Sequence, residues 1–190
     1  MNANQPDRSL DQVVTRTSFA SDVCVDSVKI RLATLHDLSA MVAIYNEAVR
    51  QRFATGDLED VTLEQRLEWF HEHDPAVFPI YVAESHAMVV GWCSLSAHRP
   101  GRAAFRRTAE ISYYVRAAFR GRGVGTMLVH HAVDEAPQLG KHVLFGILLE
   151  KNIASVNLMK KCGFELWGRL PDVASIDGEL VSHLYYGRKL

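Results

Sequence analysis

The feature that most constrains the fold is a glycine-rich stretch that runs directly into a helical pattern. Residues 119–128 read FRGRGVGTML, with glycines at 121, 123 and 125 and arginines at 120 and 122. A helix entered through glycines exposes its first backbone N–H groups, which lack intrahelical partners, and the helix dipole adds partial positive charge there. Glycines let the backbone approach a ligand closely, and arginines add full charges. The stretch therefore predicts either a phosphate-binding loop between a strand and a helix, or a glycine-rich turn with solvated arginines.

Two common nucleotide-binding signatures do not match this loop. A Walker loop needs Lys and then Ser or Thr after its last glycine, but Thr126 and Met127 follow Gly125. A dinucleotide fingerprint needs a third glycine where Thr126 stands. Both of these nucleotide-binding classes are therefore excluded.

Hydrophobic periodicity on both sides of the loop predicts a mixed α/β fold. The predicted order is β-α-α-β-β-β-α-β-α-β-β, with a hairpin around His86 and a capping box from Thr62 to Gln65. Thr34 or Asp37 is expected to cap the first helix. The strands are predicted at 28–34, 78–85, 87–97, 108–116, 141–150, 164–173 and 180–189, and the helices within 36–53, 62–73, 124–136 and 153–162.

Chain length and composition limit the domain organisation. With 190 residues, of which 48% are hydrophobic and 23% charged, the chain can bury one sizeable core. We expect one domain at 27–190, preceded by an extension at 1–26 that is mobile or loosely docked, because its sequence shows no sustained period.

Charge and cysteine content limit the cellular compartment and the classes of binding partner that we expect. The net charge of −1 disfavours nucleic-acid binding. Cys24, Cys93 and Cys162 are widely spaced, which disfavours a disulfide framework and favours the cytoplasm. No apolar run reaches the roughly 18 residues of a membrane span, and no signal peptide is evident at the N-terminus.

Several segments together resemble a known enzyme family. Residues 120–125, RGRGVG, resemble the R/Q-x-x-G-x-G/A signature of the GNAT N-acetyltransferases. The blocks that resemble the phosphinothricin acetyltransferase-like branch of that family are AIYNEAV (43–49), FPIYVAE (78–84), TAEISYYV (108–115) and KNIASVNLMKKCGFELWGRLP (151–171). The resemblance covers roughly residues 28–190. It implies the GNAT fold, with a mixed, mostly antiparallel central sheet flanked by helices.

The resemblance also implies a reaction and a cofactor site. The reaction is acetyl transfer from acetyl-CoA to the primary amine of phosphinothricin, methionine sulfoximine or a related amino-acid analogue, by direct attack in a ternary complex. Tyr114 and Val115 would lie near the developing oxyanion and the pantetheine arm, and Asn152 and Ser155 near the cofactor, although both also suit a helix cap. The loop residues that would hold the pyrophosphate are Arg120, Gly121, Arg122, Gly123, Val124, Gly125 and Thr126.

Glu110 is the candidate general base. A protonated amine must lose a proton before it can attack a thioester, and partial burial in an apolar strand raises the pKa of a carboxylate toward a useful value. The matching glutamate of the resembling family has been assigned this role. The alternative is a strand-end glutamate that faces solvent or pairs with Arg106 or Arg107; Glu84 is a weaker second candidate.

Acceptor recognition would need a cation for a carboxylate, a role that suits arginine. Arg99 and Arg102 precede the strand of Glu110, and a solvated loop is the alternative. Tyr45, Asn46 and Arg52 are further candidates, and Phe105 occupies the family's usual aromatic position without a hydroxyl.

Met159 departs from the pattern of the family. Many relatives carry Tyr or His at this position, four residues before Gly163, to protonate the leaving thiolate. Methionine cannot donate a proton, so water, Tyr113 or Tyr114 would substitute, or the thiolate would leave unassisted. The alternatives to the proposed reaction are acetylation of another small amine or of a protein N-terminus, or a catalytically silent acyl-CoA sensor.

Metal binding and assembly are the remaining sequence predictions. The histidines of HEHD (71–74) and HH (130–131) lack a third ligand at a recognisable spacing, so no metal site is expected. The family resemblance and the apolar C-terminal strand suggest a homodimer.

Overall fold

The computed structural model describes residues 27–190, so the predicted extension at 1–26 lies outside the described residues. The described part contains the strands and helices in the predicted order, with short 3₁₀ turns between some of them. The strands are β1 (Lys29–Leu32), β2 (Ile80–Ser85), β3 (Met88–Ala97), β4 (Thr108–Val115), β5 (Val143–Leu149), β6 (Glu165–Ile176) and β7 (Glu179–Lys189). The helices are α1 (Leu38–Arg50), α2 (Leu63–His71), α3 (Val124–Glu135) and α4 (Ile153–Lys161).

All seven strands form one sheet, in the order β1-β2-β3-β4-β5-β7-β6. Each neighbouring pair is antiparallel except β4 and β5, which are parallel. The expectation of a mixed, mostly antiparallel sheet is confirmed. Within residues 27–190, no helix is both long and apolar enough to cross a membrane.

Alternation along the central strands divides the core between the two faces of the sheet. On one face, Ala109 and Ile111 of β4 pack with the buried side of α3 and α4. On the other, Trp92 of β3 and Tyr114 of β4 pack with α1 and partly with α2. We call this second face the α1 face. Side chains two residues apart on β4 therefore lie on the same face of the sheet and share the same chemical environment.

The helix starts follow the predicted capping chemistry with one shift. The Gln65 backbone N–H donates to Thr62 Oγ1, and the Thr62 N–H donates to Gln65 Oε1 at 2.8 Å, so the predicted capping box is confirmed. Thr34 and Asp37 instead close a 3₁₀ turn that leads into α1, where the Thr34 N–H donates to Asp37 Oδ2. Asp37 also pairs with both terminal nitrogens of Arg31.

Candidate active site

A cleft opens where β4 and β5 separate. The two strands are paired only from Thr108 with Val143 to Glu110 with Phe145, and beyond that point β4 continues without β5. The cavity at this gap has a volume of about 410 Å³. The end of β4, the loop before α3, one side of α4 and the end of α1 line it. We call it the β4–β5 cleft.

The glycine-rich loop takes a conformation that requires glycine. Gly121 and Gly123 have φ values of 72° and 87°, in the left-handed region that other residues rarely adopt. Gly123 is the residue immediately before α3, so the unpaired N–H groups of the first turn lie at the wall of the cleft. This arrangement suits an anionic ligand, which is one of the two alternatives that the sequence predicts for this loop.

Gly125 brings two helices together. A Cβ at this position would lie 2.8 Å from Leu158 Cδ1 of α4. Since real Cβ atoms are essentially never so close, the missing side chain allows the start of α3 to approach α4. Both residues line the β4–β5 cleft. The width of the cleft therefore depends on this contact.

The two arginines of the loop differ in their positions. Arg120 lines the cleft, and its Nε donates to Val115 O at 2.8 Å. Burial lowers the pKa of Arg120, with Glu47 acting in the opposite direction. Arg122 is exposed, lies over the ring of Phe119 and does not line the cleft. Of the two loop arginines, Arg120 therefore places its charge at the cavity and Arg122 does not.

Most of the predicted cofactor-binding residues converge on this one cavity, although they come from separate segments of the chain. Arg122 is the exception. Those that line the cleft are Val115, Arg120, Gly121, Gly123, Val124, Gly125, Thr126, Asn152 and Ser155.

Asn152 and Ser155 lie at the start of α4, beside the cleft. The Ser155 backbone N–H donates to Asn152 Oδ1 at 3.2 Å, so Asn152 caps α4. Both residues also line the cleft.

Sequence reasoning missed one side of α4 and the end of α1. Ala154, Asn157, Leu158 and Lys161 line the cleft at intervals of three or four residues. That spacing from Asn152 onward could have indicated the shared helix side. Gln51, at the end of α1, carried no comparable signal, because only the tertiary fold brings it to the cavity.

Tyr113 and Tyr114 both line the cleft but face opposite sides of the sheet. The Tyr113 hydroxyl donates to Ser155 O at 3.4 Å, toward α4. Tyr114 packs edge-on against Tyr45, with ring centroids 4.8 Å apart, and against Trp92. Burial strongly raises the pKa of both phenols, so both remain protonated at neutral pH.

Met159 is a core residue and does not line the cleft. It is fully buried, and a Cβ on Gly146 of β5 would lie 2.8 Å from its Sδ. The thioether therefore occupies the space above Gly146.

Glu110 lies on the α1 face, on a strand that is paired on both sides at this point. Its register partners are Ser96 of β3 and Phe145 of β5. Burial raises the pKa of the Glu110 carboxyl. Within residues 27–190 the carboxylate makes no hydrogen bond or ion pair, so the alternative pairing with Arg106 or Arg107 is absent there. Glu110 does not line the cleft but lies on β4 three residues before Tyr113.

Glu84, the second candidate for the general base, forms an ion pair with Arg31. Its Oε2 accepts hydrogen bonds from Arg31 Nη2 at 2.6 Å and from Arg31 Nε at 3.0 Å. This pair lies between β1 and β2, at the edge of the sheet, away from the cleft. Glu84 therefore serves as an ion-pair partner.

The acceptor candidates from α1 are engaged in structural contacts. The Tyr45 hydroxyl donates to Asp57 Oδ2 at 2.5 Å and lies 2.7 Å from Thr55 Oγ1. The Asn46 amide donates to Val61 O and accepts from Val61 N, each at 3.0 Å. Neither residue lines the cleft. Both hold the segment after α1 in place, and this segment includes Ala54 of the cleft wall.

The other acceptor candidates lie in the loop that leads to Glu110. Arg99 and Arg102 are exposed, and within the described part of the chain their side chains have no ion-pair partner. Phe105 is 40% exposed and packs edge-on against His98, which also stacks on Phe145. Phe145 is the register partner of Glu110 on β5. Arg52 pairs with Asp177 at 3.0 Å, outside the cleft.

The histidine-rich segments show no metal-binding geometry. Among residues 27–190, no group of three or more His, Cys, Asp or Glu side chains is arranged to hold a metal ion.

Comparison with known proteins identifies the family. Residues 27–165 match the acetyltransferase (GNAT) domain. The chain is 41% identical over 162 residues to YwnH of Bacillus subtilis, named as a phosphinothricin acetyltransferase, covering 85% of this chain and 98% of that protein. It is 34% identical to the L-methionine sulfoximine/L-methionine sulfone acetyltransferase of Salmonella typhimurium, covering 76% of this chain and 84% of that enzyme.

A solved structure shows a similar fold with cofactor. The GNAT phosphinothricin acetyltransferase of Sinorhizobium meliloti in complex with acetyl-CoA has a TM-score of 0.81 and 26% identity, covering 86% of this chain and 89% of that one.

Proposed function

This chain belongs to the GNAT acetyltransferase family, and on that premise we propose that it transfers the acetyl group of acetyl-CoA to the primary amine of a small amino-acid-like acceptor. The observation that carries the proposal is the β4–β5 cleft, which is lined by the glycine-rich loop. The end of β4, the strand that contains Glu110, also lines this cleft. The acceptor class follows from relatives named for phosphinothricin and methionine sulfoximine.

The cleft residues suit the co-substrate. Exposed N–H groups at the start of α3 would hold the pyrophosphate, and the cleft-lining cations Arg120 and Lys161 would add charge. The unpaired end of β4 would bind the pantetheine arm as a neighbouring strand would. When bound, acetyl-CoA supplies the acetyl thioester. The protein's own contribution is position and proton transfer.

Glu110 would take the proton from the acceptor amine, directly or through one water molecule. Its raised pKa suits a base that works near neutral pH, and no arginine among residues 27–190 forms an ion pair with it. Direct attack requires donor and acceptor to be bound together. Glu110 on the α1 face would contact the acceptor amine, and the cleft at the end of the same strand would hold acetyl-CoA.

Tyr113 is the proton donor that we propose for the departing sulfur. Met159 is buried above Gly146 and offers no proton. The Tyr113 hydroxyl lies at the α4 wall of the cleft, whereas Tyr114 packs among Tyr45 and Trp92. Of the two tyrosines, Tyr113 is therefore better placed, and Tyr114 would serve near the oxyanion through its backbone.

Arg99 and Arg102 would bind the carboxylate of the acceptor. Both are exposed in the loop before β4 and have no acidic partner within the described residues. Phe105 would contact the acceptor side chain through its exposed ring. Tyr45 and Asn46 would act indirectly by holding the segment after α1.

We further propose that the enzyme is a cytoplasmic homodimer. Cys93 and Cys162 are free thiols, which suits a reducing compartment. Large apolar side chains are exposed along β6, and a second copy of the chain would cover them. These side chains are Leu166, Trp167, Leu170 and Val173.

The test of this function is coenzyme A release from acetyl-CoA, followed with a thiol reagent. The acceptor panel contains phosphinothricin, methionine sulfoximine, methionine sulfone, common amino acids, polyamines and short peptides. Turnover confined to the amino-acid analogues, and lost in Glu110→Gln with acetyl-CoA binding intact, is the expected result. Turnover only on polyamines or peptides would show a different acceptor, and binding without turnover on the panel would support an acyl-CoA sensor.

A further inference from the structure

Glu110 has two neighbours on the α1 face, His73 and Ser96, whose hydrogen bonds affect the protonation of its carboxyl. We propose that His73 and Ser96 are positioning residues. His73 accepts the hydroxyl proton of Ser96, so that this hydroxyl does not donate to the Glu110 carboxylate, and the carboxylate is thereby preserved as a base. The inference rests on the proposed function for the role of Glu110. It adds two residues, one from the turn after α2 and one from β3, to the catalytic arrangement.

The orientation of the His73 ring determines which nitrogen carries the proton. Nδ1 lies 2.7 Å from Trp69 O, and because a carbonyl oxygen can only accept, Nδ1 must donate. The ring also packs against Trp69, with centroids 4.5 Å apart. In the neutral ring, Nε2 therefore carries a lone pair and can only accept.

Ser96 supplies the proton to that lone pair. Its Oγ lies 3.1 Å from His73 Nε2, so the hydroxyl donates to the ring. Ser96 is also the direct register partner of Glu110, and such antiparallel pairs have Cβ atoms about 4.5–5.5 Å apart on the same face. A hydroxyl has one proton, so a Ser96 that donates to His73 cannot donate to Glu110.

This assignment explains why the Glu110 carboxylate accepts no hydrogen bond from the described residues. Within residues 27–190 no group donates to its carboxylate, although a hydroxyl lies on the adjacent strand. A donor would stabilise the charged form and lower the pKa of the carboxyl. Without one, burial between Ser96 and Phe145 acts alone and raises it.

Protonation of His73 would reverse the arrangement. A charged ring would donate from Nε2 to Ser96 Oγ, and the serine proton would turn toward Glu110. Burial lowers the pKa of His73, which favours the neutral ring. The charged groups that act on the ring are Glu72 and Arg66, which act in opposite directions. On the sheet side, Glu110 and His98, which stacks on Phe145, are the titratable groups.

Three variants distinguish this hydrogen-bonding role of His73 from a role in packing. His73→Phe keeps a ring against Trp69 but removes the acceptor, which frees the Ser96 proton to reach Glu110. His73→Gln keeps a non-titrating acceptor near the Nε2 position. In the double variant His73→Phe/Ser96→Ala, no hydroxyl remains to donate. His73→Asn, which can keep the bond to Trp69 O without reaching Ser96, replaces His73→Phe if that variant does not fold.

The direct readout is the titration of the Glu110 carboxyl carbon by NMR in the full chain without substrate, assigned with Glu110→Gln. His73→Phe is expected to lower the pKa of Glu110 by about one unit. His73→Gln and the double variant are expected to titrate like the unsubstituted protein. Equal titration of His73→Phe and His73→Gln, or a double variant that stays shifted, would overturn the inference.

The kinetic readout distinguishes failure of the inference from failure of the proposed function. With an accepted amine, His73→Phe should move the acidic limb of kcat/KM to lower pH and reduce the plateau kcat on the order of threefold, because the base is weaker. If His73→Phe turns over but the acidic limb of kcat/KM does not shift, the inference is contradicted and the proposed function is not. The NMR shift with no turnover on any amine contradicts the proposed function and leaves the hydrogen-bond assignment supported.

Discussion

Met159 packs directly over Gly146, so closely that a Cβ on the glycine would lie 2.8 Å from the methionine Sδ. The pair joins α4 to β5 next to the place where β5 leaves β4. The side chain at this helix position and the absence of one on the strand therefore form one packing unit.

The first prediction concerns this unit. Gly146→Ala should reduce the free energy of unfolding by about 1–3 kcal/mol through overpacking, and Met159→Ala by about 2–5 kcal/mol through a cavity. The double variant should lose less than the sum, because the alanine methyl fills part of the cavity. Urea denaturation measures all three. Additivity within about 0.5 kcal/mol would contradict direct packing.

The second prediction concerns the left-handed glycine before α3. Gly123→Ala should lower stability by about 1 kcal/mol and raise the KM or Kd for acetyl-CoA, because the loop must shift its amides. Gly178 is the matched control: it has a φ of 85°, lies in the turn between β6 and β7, and does not line the cleft. Gly178→Ala should lose similar stability with unchanged cofactor affinity. Equal effects on affinity would show that strain alone is responsible.

The third prediction separates the two tyrosines at the end of β4. Tyr113→Phe should reduce kcat about tenfold or more, because it removes the proton donor at the α4 wall. Tyr114→Phe should change kcat much less, since that ring serves mainly to pack against Tyr45 and Trp92. Steady-state kinetics with an accepted amine provide the comparison. Equal kcat values in Tyr113→Phe and the unsubstituted enzyme would indicate that the thiolate leaves unassisted or takes its proton from water.

The fourth prediction concerns acceptor recognition. Arg102→Ala should raise the KM for a carboxylate-bearing acceptor far more than that for acetyl-CoA, since the side chain is exposed before β4 and does not line the cleft. Arg169→Ala, which removes an exposed partner of Glu150, is the control and should change neither KM. Similar increases in both KM values for Arg102→Ala would rule out the carboxylate assignment.

The fifth prediction concerns stability as a function of pH. Hydrogen bonds from Arg31 lower the pKa of Asp37 from 3.8 to about 2. A lowered carboxyl pKa stabilises the fold above the ordinary value, and the contribution is lost as pH falls toward the folded value. Because Arg31 is 39% exposed, solvent screens the pair, and we expect Asp37→Asn to cost about 1–2 kcal/mol at neutral pH.

The difference between Asp37→Asn and the unsubstituted protein should shrink as the pH is lowered below about 4 and be lost near about 2. Asp60→Asn is the control, because its partner Arg50 is 65% exposed and the pair should contribute little. Chemical denaturation over this pH range measures both. A constant difference for Asp37→Asn at every pH would show that its charge is not responsible.

Local signals in the sequence predicted the elements correctly where they are strong. Apolar periodicity gave the order of strands and helices, and the Thr62 and Gln65 pair gave the start of α2. The loop from Arg120 to Thr126 was predicted from glycine spacing because left-handed conformations restrict the residue type. For α1 the sequence offered Thr34 or Asp37 as the cap; Asp37 is the residue before the helix but makes no side-chain cap bond, and Thr34 caps the preceding 3₁₀ turn. The ion pair between Asp37 and Arg31 of β1 is a contact that local propensity does not reveal.

The sequence by itself determined the element order, the glycine loop and a glutamate in an apolar strand, because each depends on neighbours within a few residues. Only the tertiary structure decided where β4 parts from β5, which side of α4 faces the cleft, and that Ser96 meets both His73 and Glu110. Met159 shows the same division, since its burial above Gly146 depends on a contact between α4 and β5. Such contacts join residues that are distant in the chain, and their free energy comes from packing and hydrogen bonds that no local pattern encodes.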